Sequence, residues 1–190
     1  MKRRSNKLPK MKVIKGYYFF MNHRDELTNA MNRAAFISCL TEKLKDAHAK
    51  NTNLAVLCVD IDNMKHFNMH NGHTLGDEML KRFVVIVEPL LRSSYLLFRI
   101  GGDEFAIILT NMNREEILYL AQKICDISRR ELSPPQPNNC GDPRCMGPAK
   151  ISVSIGIAES RDDSTLEALW RKAEEKQSEA KCAGRDCIRI

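Results

Sequence analysis

Residues 98–109 read FRIGGDEFAIIL, two apolar stretches broken by two glycines and two acids. Apolar segments on either side of a Gly-Gly pair spell a β-hairpin, because glycine tolerates the positive φ that tight turns need. The reading places strands at about Tyr95–Ile100 and Glu104–Leu109, with Gly101 and Gly102 as the turn. Taken alone, Asp103 and Glu104 are solvated turn acids. Other acids in the chain argue for more.

LAVLCVDID (Leu54–Asp62) is a continuous apolar run ending in acids, the pattern of a central strand buried on both faces. Asp60 and Asp62 are two residues apart and so share a face. Carboxylates that close repel each other unless a cation is near. A hairpin laid beside this strand carries Asp103 toward Asp60. Their two carboxylates and the carbonyl of Ile61 make an oxygen set suited to Mg²⁺, with positions left for water and phosphate. Paired Mg²⁺ ions can stabilise the attacking and leaving oxygens of a phosphoryl transfer. Strand alternation sends Asp103 and Glu104 to opposite faces, which makes Asp103 the first choice of ligand and Glu104 the second. With no Cβ at Gly101 or Gly102, a nucleotide can rest directly on the turn. The stretch NMKHFNMHNG (63–72), read as a polar loop, offers Lys65 for phosphate charge. Its Asn68, with Asp77, can read a base edge, since a carboxylate accepts from the two donors of guanine and an amide complements it.

The remaining elements follow from periodicity and capping. HRDELTNAMNRAAF opens a helix at about His23 that runs to Lys50, with Phe36, Cys39, Leu40, Leu44 and Ala47 on one face. A second helix spans about His73–Arg92 on Leu75, Met79, Leu80, Phe83, Val87 and Leu91. Asn113 and Glu116 form a capping box for a third helix ending near Arg130. The proline-rich stretch 133–148 reads as loop, KISVSIGIA as a strand, Ser164 with Glu167 as the cap of a last helix, and CIRI as a short terminal strand. This order predicts an α/β sandwich on a sheet that contains antiparallel pairs. A chain of 190 residues suits one domain. It carries no dinucleotide-binding glycine pattern and no phosphate-binding loop.

The net charge of +6 hints at nucleic acid, but its location argues against that. Seven lysines and arginines crowd the first fifteen residues, where there is no acid, and removing those seven leaves the rest at about −1. Residues 1–22 read as a basic tail or linker able to touch an anionic surface weakly, and no nucleic acid partner is expected. No apolar run approaches the ~20 residues of a membrane span, and YYFFM is too short for a signal-peptide core, so a cytoplasmic address is expected. Seven cysteines without an export signal read as reduced thiols. Cys39, Cys58 and Cys125 read as small core residues. Cys140, Cys145, Cys182 and Cys187 share a four-residue gap that leaves a metal site open, although zinc knuckles use narrower spacing.

Four stretches together resemble one family. FRIGGDEF resembles the GGDEF motif of diguanylate cyclases, and RDELTNAMNR resembles that family's opening D-x-L-T-G-L-x-N-R. DIDNMKHFNMHNGHTLGD resembles D-I-D-x-F-K-x-x-N-D-x-x-G-H-x-x-G-D, and AEEKQSEAKCAGRD resembles A-D-x-A-L-Y-x-A-K-x-x-G-R-N. The match covers residues 23–190. It implies a GGDEF-type α/β sandwich, a central, mostly antiparallel five-stranded sheet flanked by helices, palm-like as in nucleotidyl cyclases. It also implies a Mg²⁺ (or Mn²⁺)-dependent enzyme that joins two GTP into cyclic di-GMP and releases two pyrophosphates. Each domain of a homodimer would hold one GTP, and each 3′-hydroxyl would attack the opposing α-phosphate. Carried over, Asp60, the Ile61 carbonyl and Asp103 are the metal ligands, with Asp103 and Glu104 as catalytic acids and Asp103 assisting deprotonation. Asn68 and Asp77 read guanine, Gly102 supports the nucleotide, and Lys65, Lys181 and Arg185 contact phosphates. A sensor partner is compatible with the resemblance, which leaves what brings two domains together open.

The departures from the pattern are specific. Met64 replaces a Phe and Met69 an Asp. Lys176, Gln177 and Ser178 replace the apolar A-L-Y, which removes ~2–4 kcal/mol of burial at ~25 cal/mol per Å² and puts the placement of Lys181 and Arg185 in question. The family's inhibitory R-x-x-D reads RSSY, with Arg92 kept and Tyr95 in the acid's place, so weak product feedback is expected. The alternative to an active cyclase is a weak or inactive nucleotide-binding scaffold of the same fold.

Overall fold

Every residue of β1 (Leu54–Ile61) is buried, and the sheet is built outward from it. In the computed structural model, which describes residues 23–91, 95–132, 151–160 and 164–190, β1 lies between β3 (Glu104–Thr110) and β4 (Val153–Glu159). Both pairings are antiparallel. β2 (Leu96–Gly101) completes the hairpin with β3, and β5 (Ile188–Arg189) pairs in parallel with β4, giving the order β2-β3-β1-β4-β5. The sheet is therefore five-stranded and mostly antiparallel, as expected.

Among the described residues five helices cover it: α1 (Arg33–Lys50), α2 (Met64–Asn71), α3 (His73–Val87), α4 (Arg114–Glu131) and α5 (Leu166–Cys182). Leu57, Val59, Phe105 and Ile107 share one core cluster with Phe83, Val87, Ile117 and Ile124 of α3 and α4. Val56, Cys58, Ala106 and Ala158 share the other with Phe36, Leu40, Leu169 and Ala173 of α1 and α5. Alternation along β1 produces both clusters, which is why its run is apolar throughout. Each large side chain buried this way contributes about 1.5–3 kcal/mol.

Several local expectations need correction. α1 begins at Arg33, not His23. Asn32 caps it by accepting from Ala35 N at 3.0 Å, while the preceding chain folds back through bridges from Met31 to Arg24 and to Phe98. The stretch expected as a polar loop is α2, an eight-residue helix seated on Met64 and Phe67. α3 stops at Val87 rather than Arg92, because Pro89 opens a short 3₁₀ turn, Glu88–Leu90. Thr165, not Ser164, caps α5 by accepting from Ala168 N at 3.2 Å. The capping box of α4 is as read, with Glu116 N donating to Asn113 Oδ1 and Asn113 N to Glu116 Oε2, both at 2.9 Å. The expected tail (1–22) and proline-rich loop (133–148) lie outside the described residues.

The hairpin turn is shifted by one residue. Gly101 pairs with Glu104, so the loop is Gly102–Asp103, and Gly102 takes φ 53°. A register shift between Arg99 and Gly101 absorbs one residue as a bulge.

α5 seats despite its polar replacements. A Cβ on Gly156 of β4 would lie 2.1 Å from both Ala173 O and Gln177 N, so the bare glycine lets the helix backbone rest against the strand. Gln177 is buried, with Nε2 lacking a partner, and Lys176 turns outward to Glu179 at 3.0 Å.

Candidate active site

A cleft of about 530 Å³ opens between α2, α3 and the hairpin turn. Lys65, Asn68 and Met69 line it from α2, His73, Asp77 and Leu80 from α3, and Arg99, Gly102 and Asp103 from the hairpin. Asn68 lines the cleft, and its Oδ1 is buried against Gly76 and accepts no hydrogen bond. It stands there because residue 76 is glycine, where a Cβ would come within 1.9 Å of that oxygen. The structure thus gathers Lys65, Asn68, Asp77, Gly102 and Asp103 from three separate segments.

The second group of acids lies where the end of β1 meets the turn. Ile61 N donates to Asp103 O at 3.1 Å, which fixes the turn backbone against the strand end. Asp60 is directly opposite Glu104 in the antiparallel register, so Glu104 shares the Asp60 face. Asp60 is buried, and Lys181 Nζ donates to its Oδ2 at 2.6 Å. Burial pushes the Asp60 carboxyl up to about 7; the Lys181 ammonium opposes this, and the charges of Asp103 and Asp62 add to it. Burial likewise works against the Lys181 ammonium, yet Asp60, Asp103 and Glu104 hold its proton more tightly than usual. Three carboxylates thus act on one cation. Asp103 belongs to both groups, as a wall of the cleft and as a member of this acidic cluster.

A divalent ion fits this donor set. Asp60 already binds a positive charge on which Asp103 and Glu104 also act, and with the Ile61 carbonyl at the strand end these are oxygen donors of the kind hard cations such as Mg²⁺ take, completing their shells with water. Among the described residues no group of three or more His, Cys, Asp or Glu side chains forms a metal cage. Cys182 and Cys187 are free thiols, and Cys140 and Cys145 lie outside the described residues.

Asp62 departs from the reading that joined it to Asp60. It accepts from Ser152 Oγ at 2.6 Å, Ser154 Oγ at 2.7 Å and Asp186 N at 3.1 Å. Those three donors satisfy its buried oxygens. Arg185 is exposed in the loop after α5 and outside the cleft lining, and Arg92 lies outside the described residues. Tyr95 is a core residue whose hydroxyl donates to Thr110 O at 3.3 Å.

Arg99 was missed from sequence. Its Nε and Nη2 donate to Gly102 O at 3.0 and 2.8 Å, and its Nη1 to Asp25 Oδ1 at 2.9 Å. It clamps the turn to the segment before α1. The only signal was a cation set in an otherwise apolar strand.

The fold and these two groups define an α/β sandwich domain with a polar cleft beside an acidic strand end. The family described as diguanylate cyclase, GGDEF domain, matches residues 22–187, and the chain belongs to it. It is 33% identical over 167 residues to the probable diguanylate cyclase DgcT of Escherichia coli K12, covering 87% of this chain and 35% of that protein. It is 31% identical to the diguanylate cyclase DgcS of Shewanella oneidensis, covering 87% of this chain and 52% of that one. The chain therefore spans about a third of one of these curated relatives and about half of the other. Among solved structures, a GGDEF-only form of TpbB (YfiN) from Pseudomonas aeruginosa superposes with TM-score 0.75 at 32% identity, covering 88% and 93% of the two chains. The coiled coil and GGDEF domain of DgcB from Caulobacter crescentus, in complex with c-di-GMP, superposes with TM-score 0.80 at 22% identity, covering 93% and 90%. Among the described residues no helix is long and apolar enough to cross a membrane.

Proposed function

We propose that this domain condenses two GTP into cyclic di-GMP with release of two pyrophosphates, as a homodimer in the cytoplasm. The observation that carries the reading is the meeting of the two groups at Asp103. The cleft lined by Asn68 and Asp77 ends at the same residue whose charge, with that of Asp60, acts on the Lys181 cation. The guanine base would lie against Asn68 and Asp77, where the unpartnered Asn68 Oδ1 gains a donor. The ribose and α-phosphate would cross Gly102, whose missing side chain leaves the turn open. Asp60, the Ile61 carbonyl and Asp103 would hold Mg²⁺ or Mn²⁺, which when bound neutralises phosphate charge during the displacement. Asp103 and Glu104 would take up the 3′-hydroxyl proton, while Lys65, Lys181 and Arg185 balance the polyphosphate. One domain presents only one α-phosphate, so a second copy would supply the attacking hydroxyl. A sensor partner or the basic tail would bring the copies together.

Incubation with GTP or ATP and Mg²⁺, with the products resolved by chromatography, tests this. Cyclic di-GMP from GTP alone, lost in Asp103→Ala, is the expected result. GTP bound without turnover would reduce the domain to a nucleotide-binding scaffold.

A further inference from the structure

The loop after α5 takes an expensive path. Gly184, Arg185 and Asp186 have φ of 107°, 65° and 52° in succession. Glycine accepts such angles, but the other two are strained there and persist only where their surroundings impose it. The helix end imposes part of the path, with Gly184 N donating to Lys181 O at 3.3 Å and Arg185 N to Ala180 O at 3.1 Å. Asp186 is then pinned twice. Its N–H donates to the buried Asp62 at 3.1 Å, and its carboxylate is gripped by the fork of Arg129 from α4. Arg129 Nε lies 2.9 Å from Asp186 Oδ2, and Nη2 lies 2.9 Å from Oδ1.

We propose that Arg129 is a positioning residue for nucleotide binding, and that its grip on Asp186 fixes the loop so that Arg185 is presented to the polyphosphate. This rests on the reading of the cleft as a GTP site. Two features argue for more than generic stability. The loop is anchored on both sides of Arg185, by Lys181 on Asp60 before it and by Asp186 after it, while Arg185 itself remains exposed. The closing pattern that this chain resembles ends G-R-N, whereas here it ends G-R-D, which adds a carboxylate at the residue whose N–H holds Asp62. Arg129 supplies the cation this extra charge requires, and a bidentate fork also fixes its direction. Without it the Asp186 carboxylate loses the fork that directs it, and the strained segment has reason to open.

Equilibrium binding of the β,γ-imido analogue of GTP and of GMP, with Mg²⁺ present, tests this on the intact chain. Arg129→Met is expected to weaken the triphosphate analogue about tenfold while GMP, lacking the outer phosphates, binds as in wild type. Arg129→Met combined with Asp186→Asn removes both charges and should recover most of the triphosphate affinity. Thermal unfolding of each variant establishes that the protein measured is folded, and Arg129→Lys, which keeps the charge without the fork, should fall between. Equal triphosphate affinity in wild type and folded Arg129→Met overturns the inference alone. Equal losses for GMP and the triphosphate also overturn it, since they mark general loosening. A wild-type protein that binds neither nucleotide overturns the reading of the cleft and the inference with it.

Discussion

Replacing Asp60 by asparagine should stabilise the metal-free protein above neutral pH while abolishing catalysis. Burial raises its carboxyl from 3.8 to about 7. At about 1.4 kcal/mol per pKa unit, keeping that carboxylate charged in the folded state costs roughly 4 kcal/mol. The cost has a defined pH window. Below the unfolded value of 3.8 the group is protonated in both states and no cost exists. It grows as pH rises and is complete above about 7, so the wild type loses stability across this range. Asparagine keeps the shape without the charge but strands the Lys181 ammonium, which is 35% exposed and can recover water. Allowing for that loss and for solvent screening, about 2 kcal/mol survives, or roughly 4–8 °C in Tm for a chain of this size. Thermal unfolding followed by circular dichroism, in chelator at about pH 5 and about pH 8, reads the difference. The variant should melt higher at the upper pH, with the gap closing at the lower. Added Mg²⁺ should raise the wild-type Tm and leave the variant unchanged. An Asp60→Asn protein that melts below wild type at the upper pH would refute the reasoning, because Asp60–Lys181 would then be a net stabilising pair.

Gly76→Ala should separate stability from binding. Alanine favours the helix by up to about 1 kcal/mol, but its Cβ would come within 1.9 Å of Asn68 Oδ1 and displace it, so KM for GTP should rise about tenfold with Tm unchanged or higher. Gly156→Ala should do the reverse, since its Cβ meets α5 backbone at 2.1 Å and the helix must lift; a cost of about 3 kcal/mol should lower Tm by roughly 6–12 °C. Cyclic di-GMP should inhibit turnover weakly or not at all, because the position that would offer a feedback carboxylate is Tyr95, buried with its hydroxyl on Thr110 O. Micromolar inhibition in a cyclase assay would refute that.

The architecture was legible wherever a pattern ran long enough to be periodic. β1 declared itself by eight apolar or strand-ending residues, and α4 by a capping box whose two bonds both form. The misreadings have local causes. α2 is eight residues long with two buried anchors, too short for helical period to outweigh its asparagines and histidines. The segment before α1 has helix-like spacing, but Asn29 at φ 62° turns the chain back onto Phe98, a tertiary pairing no local pattern records. The hairpin turn slipped by one residue because a bulge is a property of two strands together.

The candidate site shows the same division. Residue type suggested that Asp60 and Asp62 act together, and their spacing agreed. What separates them is the company each keeps. Asp62 meets two serine hydroxyls and a backbone N–H, all of them donors, so its oxygens are satisfied and it becomes a structural tie between β1, β4 and the loop after α5. Asp60 meets one ammonium and the field of neighbouring carboxylates, so its charge is poorly stabilised and open to a better cation. Two identical side chains at the end of one strand therefore take different roles, one holding the loop and the other paired with an ammonium. The difference is set by Ser152, Ser154 and Lys181, which lie about ninety or more positions away in sequence.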